Sequence, residues 1–159
     1  IVFGLKHFRG APSHGYVLAD ESGKFEILTG DWARKVIDVA QTWSANKIVV
    51  EANNGGDHLI ASLHAVEPSI ECVKVSATVD KETRAEPVVL PYKRGLIHHV
   101  GGNTRQFDRL EGEQATWIPG EGKSPNRVDA LVWAVTHAML GDKPKPAGRS
   151  PLEIFGLKR

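Results

Sequence analysis

The sequence predicts an α/β fold in which a mixed sheet carries helices on both faces, and three observations lead to it. Two strand-like segments at 1–8 and 15–19 flank a turn-rich stretch at 9–14, which is typical of an antiparallel hairpin. Beyond the hairpin, short apolar segments alternate with segments of helical period, as in a sheet of parallel strands. The segment at 47–51 is apolar almost throughout, which favours a strand buried on both faces.

The elements after the hairpin follow from periodicity and from residues that begin or end helices. In the first helix, Trp32, Val36 and Ala40 recur at helical spacing and Asp31 is suited to the N-cap. Pro91 is expected to kink or end the helix that contains it. The predicted elements are a helix at 31–45, a strand at 47–51, a helix at 57–66, a strand at 71–76, a helix at 81–94, a strand at 96–100 and helices at 105–113 and 124–140.

Length and composition predict a single soluble domain. The chain of 159 residues is long enough for one core, which we assign to 1–140, and 141–159 is a tail rich in Pro, Gly and Lys. A net charge of +1 gives no global attraction to nucleic acid or membrane, so any polyanion must meet a local patch. The lone Cys72 excludes an internal disulfide framework and four-cysteine zinc sites. With no apolar run of membrane-spanning length and no signal-peptide pattern, we expect a cytoplasmic protein without a membrane partner.

The stretch KIVVEANNGGDH at 47–58 is the first that points to chemistry. Its apolar strand ends on Glu51 and is followed at once by paired Asn and paired Gly. Ligands of α/β sheets bind beyond the carboxyl ends of the parallel strands. Glycines there allow the backbone to approach a ligand closely. Glu51 is therefore a candidate site residue.

A second candidate is Asp129 in the stretch SPNRVDALVWAVTHAML at 124–140. Ser124 as N-cap and Pro125 at the first helical position predict where this helix begins. The helix is apolar on nearly all sides, so an unpaired Asp129 would cost several kcal/mol. Asn126 lies three residues earlier on the same face, where its amide oxygen could act beside the carboxylate.

We interpret Glu51 and Asp129, with Asn126, as ligands of Mg²⁺ or Mn²⁺, which prefer hard oxygen donors. Two such ions about 4 Å apart can activate water and stabilise the leaving oxygen in phosphodiester hydrolysis. On this interpretation, Asp129→Asn should leave the fold intact or more stable. The alternative is structural: Glu51 caps a helix, and Asp129 forms an ion pair with Arg127 or another base.

Five stretches together resemble the C-terminal nuclease domain of tailed-phage large terminases. They occur in the family's order and at similar spacings, and they are GYVLADESG at 15–23, IVVEANNGGD at 48–57, RAEPV at 84–88, IHHVGG at 97–102 and SPNRVDALVWAVT at 124–136. The resemblance implies an RNase H-like fold that cuts concatemeric double-stranded viral DNA with a cluster of acids and two divalent metals. Glu51 and Asp129 correspond to family acids, whereas Asn126 stands where relatives often have Asp or His.

The resemblance also implies parts that this sequence lacks. The family's first strand ends in an Asp that bridges both metals, and we expect that strand upstream of Ile1, because neither Asp20 nor Asp57 is a convincing replacement. No GxxxxGK[ST] motif is present, so the packaging ATPase is expected upstream as well. The implied partners are the small terminase subunit and the portal, and the implied location is the cytoplasm of the infected bacterial host.

Three basic residues beside the family motifs, Lys81, Arg84 and Arg127, are candidates for phosphate contacts with double-stranded DNA. His98 and His99 alternate on one strand and cannot both face one metal, so we interpret them as structural. Two other functional classes stay open. One is another RNase H-like nuclease, such as a junction resolvase, and the other is a non-catalytic module that docks on DNA or the portal.

Overall fold

The computed structural model describes residues 1–21, 31–53, 55–101, 105–118, 121 and 125–141. Within them lie five strands and five α-helices that alternate after an N-terminal hairpin. The strands are β1 (Val2–Phe8), β2 (Ala11–Ala19), β3 (Ile48–Glu51), β4 (Cys72–Val75) and β5 (Ile97–His99). The helices are α1 (Asp31–Thr42), α2 (Gly56–Val66), α3 (Lys81–Lys93), α4 (Asp108–Thr116) and α5 (Asn126–Val135).

The predicted α/β fold with an N-terminal antiparallel hairpin and later parallel pairs is confirmed. β1 pairs with β2 antiparallel, and β5 then adds to β2 in parallel. β3 and β4 form a separate parallel pair, in which Glu51 lies opposite Val75. Among the described residues the strands thus form two sheets, of order β1-β2-β5 and β3-β4.

Each sheet has its own hydrophobic core. The first core lies between β2, β5 and helices α3, α4 and α5, where Val17, Leu110 and Val135 are fully buried. The second core lies between β3, α1 and α2 around Ile37 and Leu63. Amphipathic helices α1 and α2 therefore cover the β3-β4 pair, while α5 packs beside the hairpin sheet.

Several predicted boundaries differ from the structure. α3 continues two residues past Pro91 to Lys93, so this proline lies in the last turn of the helix and is not its final residue. α5 begins at Asn126 with Pro125 in the capping position, one residue later than predicted, and Ser124 lies outside the described residues. Its last turn, Thr136–Leu140, is a π-helix, and a 3₁₀ turn at Arg105–Phe107 precedes α4.

Two further findings complete the fold. No helix in the described part of the chain is long and apolar enough to cross a membrane. The predicted tail at 141–159 lies outside the described residues apart from Gly141.

Candidate functional site

A cavity of about 1230 Å³ separates the two sheets. Its walls are the whole of β3 on one side and the first half of β1 on the other, and helices α1 and α5 close it. The α5 residues that line it include Ala130, Trp133 and Ala134. These residues form the side of α5 opposite to the one that packs in the first core. The helix is apolar nearly all round because one side faces the core and the other faces the cavity. Glu51, Asp129, Asn126 and Lys81 also line the cavity.

Glu51 is half-buried at the last position of β3, at the start of a tight turn. Asn53 secures this turn, because its side-chain oxygen accepts the Ala77 backbone N–H at 2.9 Å and its amide nitrogen lies 3.4 Å from Glu51 Oε1. The turn requires both glycines. Gly55 has a φ of 84°, and a Cβ on Gly56 would lie 2.6 Å from the Ala52 side chain. Helix α2 begins at this turn with no side-chain cap, so Glu51 does not cap it.

Asp129 is buried in the first turn of α5, with 8% of its surface exposed. Each of its carboxylate oxygens contacts a different cation. Arg84 Nη2 donates to Oδ1 at 2.7 Å, and Lys81 Nζ lies 3.2 Å from Oδ2. Lys81 and Arg84 are three residues apart on the first turn of α3, so both side chains project from one face of that helix.

Arg84 is itself held on several sides. Its Nη1 donates to the Val79 carbonyl at 2.7 Å, and its guanidinium lies over the Trp133 ring at 5.1 Å. Only 4% of Arg84 is exposed. In this arrangement Arg84 is a buried counter-ion of Asp129, and it could reach a DNA phosphate only if this ion pair separated. Its predicted DNA contact stays a prediction.

Arg127 joins two other acids rather than Asp129. Its Nη1 lies 2.8 Å from Glu113 Oε1, and its Nε lies 3.1 Å from Asp20, whose side chain is 3% exposed. The hydrogen bond to Glu113 raises the pKa of Arg127, and the charge of Asp20 adds to this effect. Glu113 also accepts the backbone N–H groups of Arg127 and Val128, at 2.8 and 3.3 Å, and so caps the start of α5 from another helix. The predicted DNA contact of Arg127 is likewise untested.

The remaining candidates occupy simpler positions. Asn126 is exposed at the first position of α5 and borders the cavity. Asp57 pairs with Lys74 Nζ at 2.7 Å on the surface, where this contact lowers the pKa of Asp57. His98 contacts His14, whereas His99 lies between Tyr92 and Glu111.

The donor set at the cavity fits part of a metal site. Carboxylates from Glu51 and Asp129 and the amide oxygen of Asn126 are the hard ligands that Mg²⁺ and Mn²⁺ prefer. In the described ranges, however, no group of three or more His, Cys, Asp or Glu side chains could hold a metal ion. The chemistry therefore fits these ions, and the number of described ligands is too small for a complete site.

A comparison with known protein families shows which family the chain belongs to. The family described as the terminase RNaseH-like domain matches residues 9–140, which includes Glu51, Asp129 and all three basic candidates. The chain belongs to the terminase RNaseH-like domain family. No curated protein and no solved structure matches it.

Membership of the terminase family confirms the resemblance and the predicted RNase H-like fold class. It supports a nuclease-type domain and leaves the individual site residues untested. The pairing of Arg84 with Asp129 was missed by the sequence interpretation, although one signal for it was present. RAEPV and SPNRVDALVWAVT place the opposite charges of Arg84 and Asp129 on two predicted helices. Two such charges are expected to pair on burial.

Proposed function

We propose that this terminase RNaseH-like domain is a metal-dependent endonuclease that hydrolyses double-stranded concatemeric DNA during viral genome packaging. The observation that carries the proposal is that Glu51 and Asp129 both line one cavity. One carboxylate comes from a strand end and the other from a buried helix, and the two elements are far apart in sequence. A cavity lined by carboxylates from separate elements is typical of a site for a hard cation.

The residues of the chain have distinct roles in this proposal. Glu51 and Asp129 hold Mg²⁺ or Mn²⁺, with Asn126 as a neutral oxygen donor. A pair of these ions, when bound, supplies an activated water and a Lewis acid for the leaving oxygen. Arg84 fixes Asp129 from the side of the core, and the Asn53 turn fixes the end of β3 that carries Glu51.

We propose further that the cavity between β1 and β3 receives the family's first strand. Within the described residues, β1 pairs only with β2, and β3 pairs only with β4. The two strands therefore have backbone groups available on the sides that face the cavity. A strand inserted there would satisfy these groups and join both sheets into one. An acid at the end of that strand would add the charge that the described ligand set lacks.

The partners and the location are part of the same proposal. A DNA-cutting terminase domain would act with a packaging ATPase domain of the parent chain, a small terminase subunit and the portal. Its place of action would be the cytoplasm of the infected bacterial host.

The decisive experiment is plasmid cleavage by a parent chain that carries the proposed first strand together with this domain. We expect cleavage of linear double-stranded DNA with little sequence preference in Mn²⁺ or Mg²⁺, and none in EDTA. Glu51→Ala and Asp129→Ala should each abolish cleavage while DNA binding persists. If the intact parent chain binds plasmid DNA but does not cut it in either metal, the nuclease proposal fails and a docking role replaces it.

The rival resolvase function is separated by substrate choice. A four-way junction and a linear duplex of the same sequence are offered together at equal concentration. A packaging nuclease should cut both at similar rates, whereas a resolvase should cut the junction selectively.

A further inference from the structure

Arg84 and Lys81, the two cations that contact Asp129, differ in their exposure and in their other contacts. Arg84 has 5% of its side chain exposed, donates to a second acceptor and lies over an aromatic ring. The Lys81 side chain is 34% exposed and lines the cavity, where its ion pair with Asp129 is the contact that the structure gives its ammonium. The contacts of Arg84 hold it in the core. Lys81 has a partly exposed side chain with a flexible four-carbon stem, so its ion pair with Asp129 is the easier one to separate.

Arg84 and Lys81 contact different oxygens of the Asp129 carboxylate. Arg84 holds Oδ1 on the side of the core. Lys81 holds Oδ2 at 3.2 Å and borders the same cavity as Glu51 and Asn126. A divalent cation that used Asp129 from the cavity would lie close to the Lys81 ammonium, which is 3.2 Å from Oδ2. The Lys81 ammonium and a divalent cation at the same carboxylate oxygen repel each other, so Lys81 lowers the affinity of Asp129 for metal.

We propose that Lys81 is an internal counter-cation of the metal site, which neutralises Asp129 until a divalent ion displaces it from Oδ2. This inference rests on the proposed nuclease site and adds a positioning residue that sets the metal affinity of that site. Lys81 keeps Oδ2 of Asp129 paired when metal is scarce, while Arg84 holds Oδ1 throughout. The same contact makes the site weaker for metal than its ligands alone would be.

The test is the Mn²⁺ affinity of the 159-residue chain, measured by titration calorimetry and by the electron paramagnetic resonance signal of free Mn²⁺. Lys81→Gln removes the competing charge and keeps a side chain of similar size. We expect its Kd for Mn²⁺ to be about tenfold lower than that of the unmodified chain at low ionic strength. Lys81→Arg keeps the charge and should not tighten binding.

Lys74→Gln is the matched control. Lys74 also pairs with an aspartate, at 2.7 Å from Asp57, but does not line the cavity. Lys74→Gln removes the same charge from the protein as Lys81→Gln does. Its Kd for Mn²⁺ should therefore equal that of the unmodified chain if the effect at Lys81 is local.

Repeating the titrations with Asp129→Asn separates the possible results. If Lys81→Gln tightens Mn²⁺ binding only when Asp129 is present, the inference is supported. If Mn²⁺ binding depends on Asp129 but Lys81→Gln does not tighten it, the counter-cation role is overturned and the proposed nuclease site stands. If neither the unmodified chain nor Lys81→Gln binds Mn²⁺ in a way that depends on Asp129, the counter-cation role is overturned, and the nuclease proposal is decided separately by plasmid cleavage with the parent chain.

Discussion

Replacing Arg84 by methionine should destabilise the domain strongly, because it leaves the buried Asp129 without its principal counter-ion. Side-chain exposure is 5% for Arg84 and 9% for Asp129, so water cannot replace the lost contact. Removing one partner of a buried pair costs about 3–5 kcal/mol. Lys81 still contacts the other oxygen, so we expect the lower end of that range, about 3 kcal/mol. In a domain of this size that loss corresponds to a fall of roughly 6–12 °C in Tm.

The assay is urea unfolding at pH 7, followed by far-ultraviolet circular dichroism. The matched control is Lys74→Met, because the Lys74–Asp57 pair has the same 2.7 Å separation but lies on the surface, with side-chain exposures of 50% and 82%. An exposed pair contributes little, so this variant should unfold at nearly the same urea concentration as the unmodified chain.

A double-mutant cycle with Asp129→Asn completes this test. The structure revises the sequence-based expectation that Asp129→Asn is neutral or stabilising, because that change leaves the buried Arg84 guanidinium without its carboxylate. Each single variant should be destabilised, and Arg84→Met with Asp129→Asn should lose less than the sum of the two, with a coupling of about 2 kcal/mol. Additive losses, or a loss below about 1 kcal/mol for Arg84→Met, would refute the buried ion-pair argument.

Three further predictions concern other parts of the domain. Burial raises the pKa of Tyr92 to about 12 from its ordinary value of 10, so the folded state keeps a proton that the unfolded state loses. The free energy of unfolding should therefore fall as the pH rises from 10 to 12, and Tyr92→Phe should remove that part of the slope in urea titrations. Gly56→Ala should lower Tm and weaken Mn²⁺ binding, because the new Cβ would crowd the turn after Glu51; an unchanged Tm would contradict the close approach. Lys81→Gln should weaken binding of a fluorescent DNA duplex in Ca²⁺ more than in EDTA, since Lys81 is available to phosphate only once metal has displaced it; equal weakening in both would argue against that order of events.

Local patterns were sufficient to predict the elements, and the departures have local physical causes. Alternation and helical period predicted every described strand and helix within a few residues, because each buries one face against a core. Pro91 was expected to kink or end its helix, and α3 continues for two residues beyond it. That helix has buried side chains on several turns, including Val88 and Pro91 itself, and their burial opposes the lost hydrogen bond.

The partners of the charged residues were not predictable from local pattern. Asp129 was expected to need a partner because its helix is apolar, and the structural alternative named Arg127, two residues earlier in sequence, or another base. The structure pairs Asp129 with Arg84, 45 positions away, and gives Arg127 to Glu113 and Asp20. Which cation meets which acid depends on how α3 and α4 pack against α5, and one-dimensional spacing carries no information about that packing.

The cavity between the sheets connects these findings. Apolar residues on the outer side of α5 would be costly if they faced water. Among the described residues, no strand pairs with the sides of β1 and β3 that face the cavity. Both features have one economical explanation, which is another strand in the cavity. Such a strand would bring its end to the same edge of the sheet as Glu51 if it ran parallel to β3. Glu51, Asp129 and Lys81 would then belong to one site at the cavity. In that site, Oδ2 of Asp129 would stay paired with Lys81 until the strand and the metal are in place.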